Sequence, residues 1–285
     1  SSAASDVYKR QVEKKDHAYC QPCFSPIWDS GWMGIVKIEN GILDDRLAEW
    51  FLKKEIKIKG DWSHKNSEVD EGGWAFQFNN DYYPDVDDTA LVGMFLDRYN
   101  RVKKKKSIEL AIERTRKWIV GMQSKNGGWG AFDIDNVHYS LNSIPFADHG
   151  ALLDPPTADV SARCLSFLKQ LNNPRDKNCI ERATNYLLSE QEADGSWFGR
   201  WGTNYIYGTW SVLSALNLVE FRNKKAVFNK AINYLKSNQR NDGGWGEDGK
   251  SYYKNFENLS KKSTPSQTSW AIMGLLAAGQ INSPE

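Results

Sequence analysis

Residues 118–129 read WIVGMQSKNGGW, and the spacing of their first aromatic residue, their Gln and their last Trp recurs along the chain. The Gln stands five residues after the aromatic residue, and the Trp follows six residues later, behind an Asn-Gly or Asp-Gly pair. The copies with this spacing are Trp118, Gln123 and Trp129; Tyr186, Gln191 and Trp197; and Tyr234, Gln239 and Trp245. A degenerate fourth copy at Trp50, Glu55 and Trp62 has Glu for Gln and one extra residue. Such a repeat predicts an array of similar structural units.

Each copy lies between two kinds of helical pattern. A helix with Lys, Arg and Glu on one face ends near the Gln, and the Gly turn terminates it. The Gln amide can then hydrogen-bond to the backbone of the next helix while the indole packs over the seam. More apolar helices follow, mostly behind a Pro, at roughly 27–38, 87–99, 157–171, 208–221 and 266–279. Polar outer helices that alternate with apolar inner ones predict an all-α fold, an α/α barrel (toroid) that is incomplete at its C-terminus.

The length, charge, hydrophobicity and Cys content of the chain limit the functions that it can have. The 285 residues with 40% hydrophobic content suffice for a large core, and a net charge of +1 argues against nucleic acid as a partner. No apolar run reaches the roughly 18 residues of a membrane span, which leaves peripheral membrane contact open. Cys20 and Cys23 form a CxxC pair without the further ligands of a zinc site, so we expect reduced, cytoplasmic thiols. We expect residues 1–11 to be a disordered or non-native leader before one domain over 12–285.

The stretch that carries the chemistry is GGWAFQFNNDYYPDVDDTALV, residues 72–92, in which Asp85, Asp87 and Asp88 follow a Pro and precede an apolar helix. Its aromatic approach comprises Trp74, Phe76, Phe78, Tyr82 and Tyr83. The acids can be simple helix caps, or they can bind Mg²⁺. In a dry site, however, three crowded carboxylates cannot all ionise, because burial and like charge raise a carboxyl pKa by about 3–5 units. The cluster would then hold a proton beside rings that suit a cation.

The repeat and the PDVDDTA segment resemble the QW motifs and the acid motif of the squalene-hopene cyclase family. The resemblance runs from Cys20 onward and covers roughly the C-terminal half of such an enzyme, so we expect an N-terminal α/α domain and a final aromatic-rich segment to be missing. It implies an isomerase of hopanoid biosynthesis that cyclises squalene to hopene and hopanol by protonation, without a metal or redox cofactor. It also implies a bacterial, monotopic protein at the cytoplasmic face of the cell membrane, and it allows a homodimer.

The resemblance assigns roles to individual acids. Asp87 matches the proton donor, and Asp85 and Asp88 support it. Asp29 and Asp159 match acids that the family needs, although Asp159 is placed equally well for a plain helix cap.

It also assigns roles to aromatic residues. Tyr207 matches a Tyr that helps to reload the proton through water. Positions that match cavity residues, and that would either stabilise carbocations or simply pack the core, are Trp28, Phe76, Phe132 and Trp201. Phe132 replaces the Tyr of studied relatives, so a hydroxyl is absent there.

Arg163 departs from the family pattern, because a studied relative has a His there that bonds to the catalytic acid. A plain i,i+4 pair with Asp159 is the simplest interpretation. A guanidinium on an apolar helix nevertheless needs buried partners. We therefore predict that Arg163 lies within salt-bridge reach of Asp85, Asp88 or Asp159. It would keep the flanking carboxylates ionised, so that Asp87 alone carries the proton.

Two other functions stay open. One is another class II terpene cyclase that acts on a shorter or oxidised polyprene. The other is a non-enzymatic α/α-toroid interaction module whose acids are caps. A buried acid cluster among aromatic residues favours an enzyme, whereas exposed caps favour the module.

Overall fold

The computed structural model describes residues 11–13, 15–16, 18–20, 25–78, 80–138, 153–252 and 262–282. The α-helices of these residues are α1 (Pro26–Glu39), α2 (Asp45–Lys54), α3 (Val86–Lys103), α4 (Lys106–Gly121), α5 (Ala158–Leu171), α6 (Lys177–Ser189), α7 (Tyr205–Leu216), α8 (Lys224–Ser237) and α9 (Pro265–Ala277). Two three-residue strands, β1 (Gln11–Glu13) and β2 (Ala18–Cys20), pair antiparallel. The predicted all-α class is confirmed. Of the predicted leader, residues 1–10 lie outside the described residues and Gln11 begins β1; Cys23 of the CxxC pair also lies outside them.

The helices form two layers. The odd-numbered helices are the inner ones and pack side by side, α1 on α3, α3 on α5, α5 on α7 and α7 on α9. The even-numbered helices cover them from outside, with α4 on α3, α6 on α5 and α8 on α7. Inner helix α3 is buried continuously from Val86 to Leu96, whereas outer helix α2 buries only Ala48 and Phe51. This contrast matches the alternation of apolar and polar helices in the sequence.

Two inner helices depart from their predicted ranges: α3, predicted at 87–99, continues to Lys103, and α7 departs at both ends. We predicted 208–221, and α7 instead spans Tyr205–Leu216. It begins early because the buried carboxylate of Glu247 accepts hydrogen bonds from the first free backbone N–H groups, those of Asn204, Tyr205 and Ile206, at 3.0–3.1 Å. A distant side chain therefore stands in for the Pro found at the first position of α1 and α9. At the other end, Lys224 Nζ binds the carbonyl oxygens of Asn217 and Val219.

The Trp of each regular repeat fastens an outer helix to the next inner helix. Its indole N–H donates to the carbonyl oxygen ten residues earlier, and its backbone N–H donates to a hydroxyl on the inner helix. The indole bonds are Trp129 to Ile119, Trp197 to Leu187 and Trp245 to Leu235, each 2.7 Å. The hydroxyl partners are Ser161, Thr209 and Thr268 at 2.9–3.1 Å. All three indoles are fully buried, so these clamps hold adjacent hairpins together as predicted.

The Gln of the repeat ties the turn to the next outer helix. Gln123 Nε2 donates to Gly127 O at 2.8 Å within the turn and to Cys179 O at 2.9 Å on α6. Gly127 has a φ of +96°, and a Cβ atom there would lie 2.5 Å from Arg182 O. Glycine is required because both the left-handed backbone and the close approach of α6 exclude a side chain.

The fourth repeat closes on a different Trp from the one predicted. We predicted Trp62, but the indole N–H of Trp74 makes the corresponding bond, to Phe51 O at 2.8 Å, and its backbone N–H binds Thr89 Oγ1 at 2.9 Å. Glu55 takes the place of Gln and pairs with Arg114 on α4 through two 2.7 Å bonds. The prediction was wrong because the intervening loop inserts residues between the helix end and the clamping Trp.

Among the described helices, none combines the length and the hydropathy that a membrane span requires.

The side-chain amide of Gln123 donates to two carbonyl oxygens, and its removal tests how much these bonds stabilise the fold. We expect Gln123→Ala to lower the free energy of unfolding by about 1–3 kcal/mol, because two carbonyl groups lose a buried partner. Gln239→Ala is the matched control. Its partly exposed amide binds Gly243 O at 2.9 Å, so the cost should be about 1 kcal/mol or less. Urea unfolding of both variants measures the difference, and equal costs would contradict the role given to the second bond.

Candidate active site

The acid cluster sits at the amino end of α3 and is held there by the clamp of the fourth repeat. The backbone N–H of Asp85 donates to Trp74 O at 2.8 Å. Asp85 is the N-cap of α3, and its Oδ1 accepts from the N–H groups of Asp87 at 2.8 Å and Asp88 at 3.0 Å. The capping interpretation is therefore correct for Asp85. The cap also fixes the backbone from which the side chains of Asp87 and Asp88 project.

All three carboxyl groups of the cluster are buried, and burial raises the pKa of each. Burial, with the charge of Asp87, raises the pKa of Asp85 to about 8. The pKa of Asp87 is raised to about 7, with Arg163 opposing the effect of burial. Burial and the charges of Asp85 and Asp87 raise the pKa of Asp88 well above its usual range. The cluster therefore holds protons near neutral pH.

Arg163 on α5 pairs with Asp87, which is a different acid from those predicted. Its Nε lies 3.2 Å from Asp87 Oδ1, and both side chains are buried. Within the described residues it makes no ion pair with Asp85, Asp88 or Asp159. Asp159 Oδ2 instead accepts from the main-chain N–H of Trp201 at 2.9 Å.

This pairing also corrects the predicted distribution of protons. The guanidinium stabilises the ionised form of Asp87 and so offsets part of the rise in its pKa that burial causes. It does not keep the flanking acids ionised. Among the three acids, Asp87 is the one that the described contacts place against a cation, and this contact opposes the effect of burial on its pKa.

Aromatic rings surround the guanidinium of Arg163. Its central carbon lies 5.3 Å from the ring centre of Trp28, 4.8 Å from that of Trp32 and 5.4 Å from that of Trp210. Tyr207 is buried beside Arg163, and its ring contacts Trp210 at a centroid distance of 5.5 Å. Burial raises the pKa of its phenol, so this group stays neutral. Sequence analysis missed Trp32 and Trp210; the available signal was the four-residue spacing of Trp28 and Trp32 on one apolar helix.

The remaining predicted residues lie around this centre. Asp29 is exposed at the start of α1, accepts from Ser25 Oγ at 2.8 Å, and still contributes to the raised pKa of Asp88. Phe132 packs edge-on against Trp201, with ring centres 6.2 Å apart, and Trp201 is 51% exposed. Phe76 is half-buried in the loop before α3.

The aromatic approach to the acids is less enclosed than the sequence indicated. Tyr82 is 62% exposed and Tyr83 is 45% exposed, with its hydroxyl donating to Asp61 at 2.6 Å. Trp74 is buried in the repeat clamp instead. The rings that contact Arg163, the partner of Asp87, come from α1 and α7.

Asp154 is a further residue that sequence analysis missed. Its buried carboxylate accepts from the N–H groups of Ala131 at 2.9 Å, Phe132 at 2.5 Å and Asp133 at 2.7 Å. It thereby fixes the loop that carries Phe132, and its charge contributes to the raised pKa of Asp85. Burial raises the pKa of Asp154 against the opposing effect of its three hydrogen bonds. The signal for it was an Asp placed directly before the Pro155–Pro156 pair.

The magnesium interpretation finds no matching geometry in the described part of the chain. No group of three or more His, Cys, Asp or Glu side chains there is arranged to hold a metal ion. Cys164 and Cys179 are free and buried.

The model of the squalene-hopene cyclase C-terminal domain matches residues 24–285. The chain belongs to this family. A squalene-hopene cyclase of Schizosaccharomyces japonicus is 54% identical over 96% of this chain and 43% of its own length. That of Bradyrhizobium diazoefficiens is 49% identical over 98% and 44%. A dammaradiene synthase of Dryopteris crassirhizoma is 41% identical over 95% and 43%. The chain thus spans less than half the length of these curated relatives.

The fold of this family member also matches a solved structure. The type II terpene cyclase MstE from Scytonema, solved as a variant with its substrate geranylgeranyl dihydroxybenzoate, aligns with a TM-score of 0.57. Its sequence is 16% identical over 89% of this chain and 63% of that chain, so the likeness concerns the fold. The predicted α/α toroid and the resemblance to squalene-hopene cyclases are both confirmed.

The acid cluster of this cyclase domain predicts how stability depends on pH. Because the folded-state pKa of Asp87 lies at about 7, above the ordinary value of 3.8, the folded state binds more protons than the unfolded state between these values. Asp85, with a pKa of about 8, behaves in the same way. Stability should therefore fall as the pH rises from about 4 to about 8. We expect Asp88→Asn to make this fall shallower, because it removes one buried charge and its repulsion.

Urea unfolding at a series of pH values measures this slope. Asp81→Asn, at an exposed acid outside the cluster, is the control and should leave the slope unchanged. If stability instead rises with pH across this range, or if Asp88→Asn and Asp81→Asn give the same slope as the unaltered protein, the cluster does not hold buried protons.

Proposed function

We propose that the full-length protein that contains this chain is an isomerase that cyclises squalene to hopene and hopanol in hopanoid biosynthesis. The observation that carries the proposal is the buried Asp87, whose pKa is raised to about 7 while its Oδ1 lies 3.2 Å from the Arg163 guanidinium. The reaction begins when the O–H bond of Asp87 breaks. A C–H bond forms from the π electrons of the terminal alkene, which leaves a tertiary carbocation and the Asp87 carboxylate.

The contact with Arg163 favours this first step. An alkene is a weak base, so the donor must be neutral before the transfer and must form a stabilised anion after it. Burial keeps Asp87 protonated near neutral pH. Arg163 then stabilises the carboxylate as it forms, so this interaction is stronger in the transition state than in the ground state.

The later steps require rings, exclusion of water and return of the proton. We assign Phe76, Phe132 and Trp201 to stabilising cationic intermediates, by cation–π attraction of about 0.5–2 kcal/mol each. The last cation gives hopene by losing a proton, or hopanol by adding water that then loses its proton. Tyr207, beside Arg163, suits the return of a proton to Asp87 through water. Asp159 orients Trp201 through the hydrogen bond to its N–H group.

A second candidate is another class II terpene cyclase with a different polyprene or product. The 41% identity to a dammaradiene synthase supports it. Product analysis separates the two candidates. The burial of all three acids favours either enzyme over a non-enzymatic interaction module, for which exposed caps were expected.

The proposed substrate also suggests where the protein acts. Squalene is a hydrocarbon that partitions into membranes, so we propose a monotopic protein at the cytoplasmic face of the cell membrane, with a homodimer as its assembly. Flotation of the full-length protein with lipid vesicles tests the first proposal.

Asp87→Asn in the full-length protein tests the chemistry. We expect it to lower the yield of cyclised product from squalene by at least about 10²–10⁴-fold, because the amide has no acidic proton, and to leave the fold intact. Gas chromatography with mass spectrometry identifies the products. Asp97→Asn, on the same helix but paired with Arg101 at 2.7 Å, is the control and should retain activity.

Normal turnover by Asp87→Asn together with a lowered melting temperature would show that the cluster is structural. In the same assay we expect no product from the 285-residue chain alone, because it spans less than half the length of its curated relatives and water that reaches the cation would quench it.

A further inference from the structure

The surroundings of Arg163 are built from three separate inner helices. Arg163 itself is on α5, Trp28 and Trp32 are on α1, and Trp210 is on α7. Their indoles brace one another, since Trp32 packs edge-on against Trp28 with ring centres 5.9 Å apart and lies 6.1 Å from Trp210. Trp270 on α9 stacks on the outer side of Trp210, at 6.3 Å and an interplanar angle of 8°. We refer to Trp28, Trp32 and Trp210 as the indole cage.

We propose that the indole cage holds the Arg163 guanidinium against Asp87, and that its three residues are positioning residues for the proton transfer. This inference rests on the proposed function and replaces the cavity role that the sequence predicted for Trp28. Each ring centre lies within 5.4 Å of the guanidinium carbon, inside the range of cation–π attraction of about 6 Å.

The cage compensates for hydrogen bonds that the guanidinium does not make. Arg163 is 5% exposed, and its Nη2 has no hydrogen-bond partner within the described residues. A buried donor without an acceptor is costly and would favour rotation of the side chain towards another carboxylate. Asp159, one helical turn earlier on α5, is such an alternative. Indoles on three sides oppose this rotation and leave Nε directed at Asp87.

The position of this cation matters because the acidic side chains that the structure describes near Asp87 act against its carboxylate form. Asp85 caps α3, Asp88 follows Asp87 on that helix, and Asp159 acts on Asp87 from α5. The thiol of Cys164 on α5 and the phenol of Tyr207 on α7 also face it, both with pKa values raised by burial. Asp154 and Asp29 act on Asp85 and Asp88, respectively. Displacement of Arg163 would therefore make Asp87 a weaker acid that keeps its proton to higher pH.

The kinetic test uses the full-length protein with squalene. The profile of kcat against pH should have a plateau at low pH, where the donor is protonated, and should fall at alkaline pH. We expect Trp32→Leu and Trp210→Leu to lower kcat on this plateau by about tenfold or more, with KM changed less than about twofold. The alkaline limb of the pH profile should move to higher pH, because one pKa unit corresponds to a tenfold change in acid strength. Trp32→Phe and Trp210→Phe should restore part of both effects, since Phe keeps a π face. Trp62→Leu is the matched control, because Trp62 is buried against Trp118 and away from Arg163.

Three results would overturn the inference. If Trp32→Leu and Trp210→Leu raise KM without moving the alkaline limb, the rings contact substrate. If neither the plateau nor the limb changes, or if Trp62→Leu changes them equally, the rings only pack the core. If Arg163→Met leaves the plateau unchanged, the cation does not act on the acid.

Nuclear magnetic resonance spectroscopy tests the indole cage independently of turnover. The side-chain Nε–H resonance of Arg163, assigned by its loss in Arg163→Met, should show ring-current shifts and slow exchange with solvent. Trp32→Leu and Trp210→Leu should move it towards the position of an exposed arginine, and no movement would contradict the cage. If the full-length protein fails to cyclise squalene while this resonance responds as expected, the proposed function fails and the cage stands.

Discussion

The hydrogen bonds of the buried tryptophans are the constraint on which the rest of this structure depends. In each regular repeat an indole N–H closes the end of an outer helix, and the backbone N–H of the same Trp fastens it to the next inner helix. Trp74 does this for α2 and α3, and its carbonyl oxygen also accepts the N–H of Asp85. The clamp that joins α2 and α3 therefore also fixes the position of the acid cluster, so that the fold and the site both depend on Trp74.

Opposing electrostatic effects act on the acids held in this way. The amino end of α3 favours carboxylates, but such an effect is worth at most about 2 kcal/mol. Burial and mutual repulsion act in the other direction, and the raised pKa values show that they prevail. Arg163 then makes the environment of Asp87 different from that of the other two acids, because its guanidinium lies 3.2 Å from Asp87. A site built from three similar acids thus contains one, Asp87, whose carboxylate form is stabilised by a neighbouring cation.

The spacing of aromatic residue, Gln and Trp was sufficient to predict the helical layers, and the DVDDT segment was sufficient to locate the acids. Contacts between distant segments explain the errors. Two tryptophans, Trp62 and Trp74, lie between Glu55 and α3, and only the hydrogen bonds to Phe51 and Thr89 select Trp74. The start of α7 depends on a carboxylate more than forty positions later, that of Glu247. The partner of Arg163, Asp87, depends on how α3 and α5 meet between α1 and α7, which no local pattern encodes.

The central claim is that Asp87 carries a proton near neutral pH inside the protein. The infrared difference spectrum between the unaltered protein and Asp87→Asn tests it most directly, because a protonated carboxyl group has a C=O band distinct from that of a carboxylate. We predict a carboxylic acid band at neutral and mildly acidic pH that is absent from Asp87→Asn and that disappears as the pH rises through about 7, the value for Asp87. A difference spectrum with only carboxylate bands at neutral and mildly acidic pH would contradict the account.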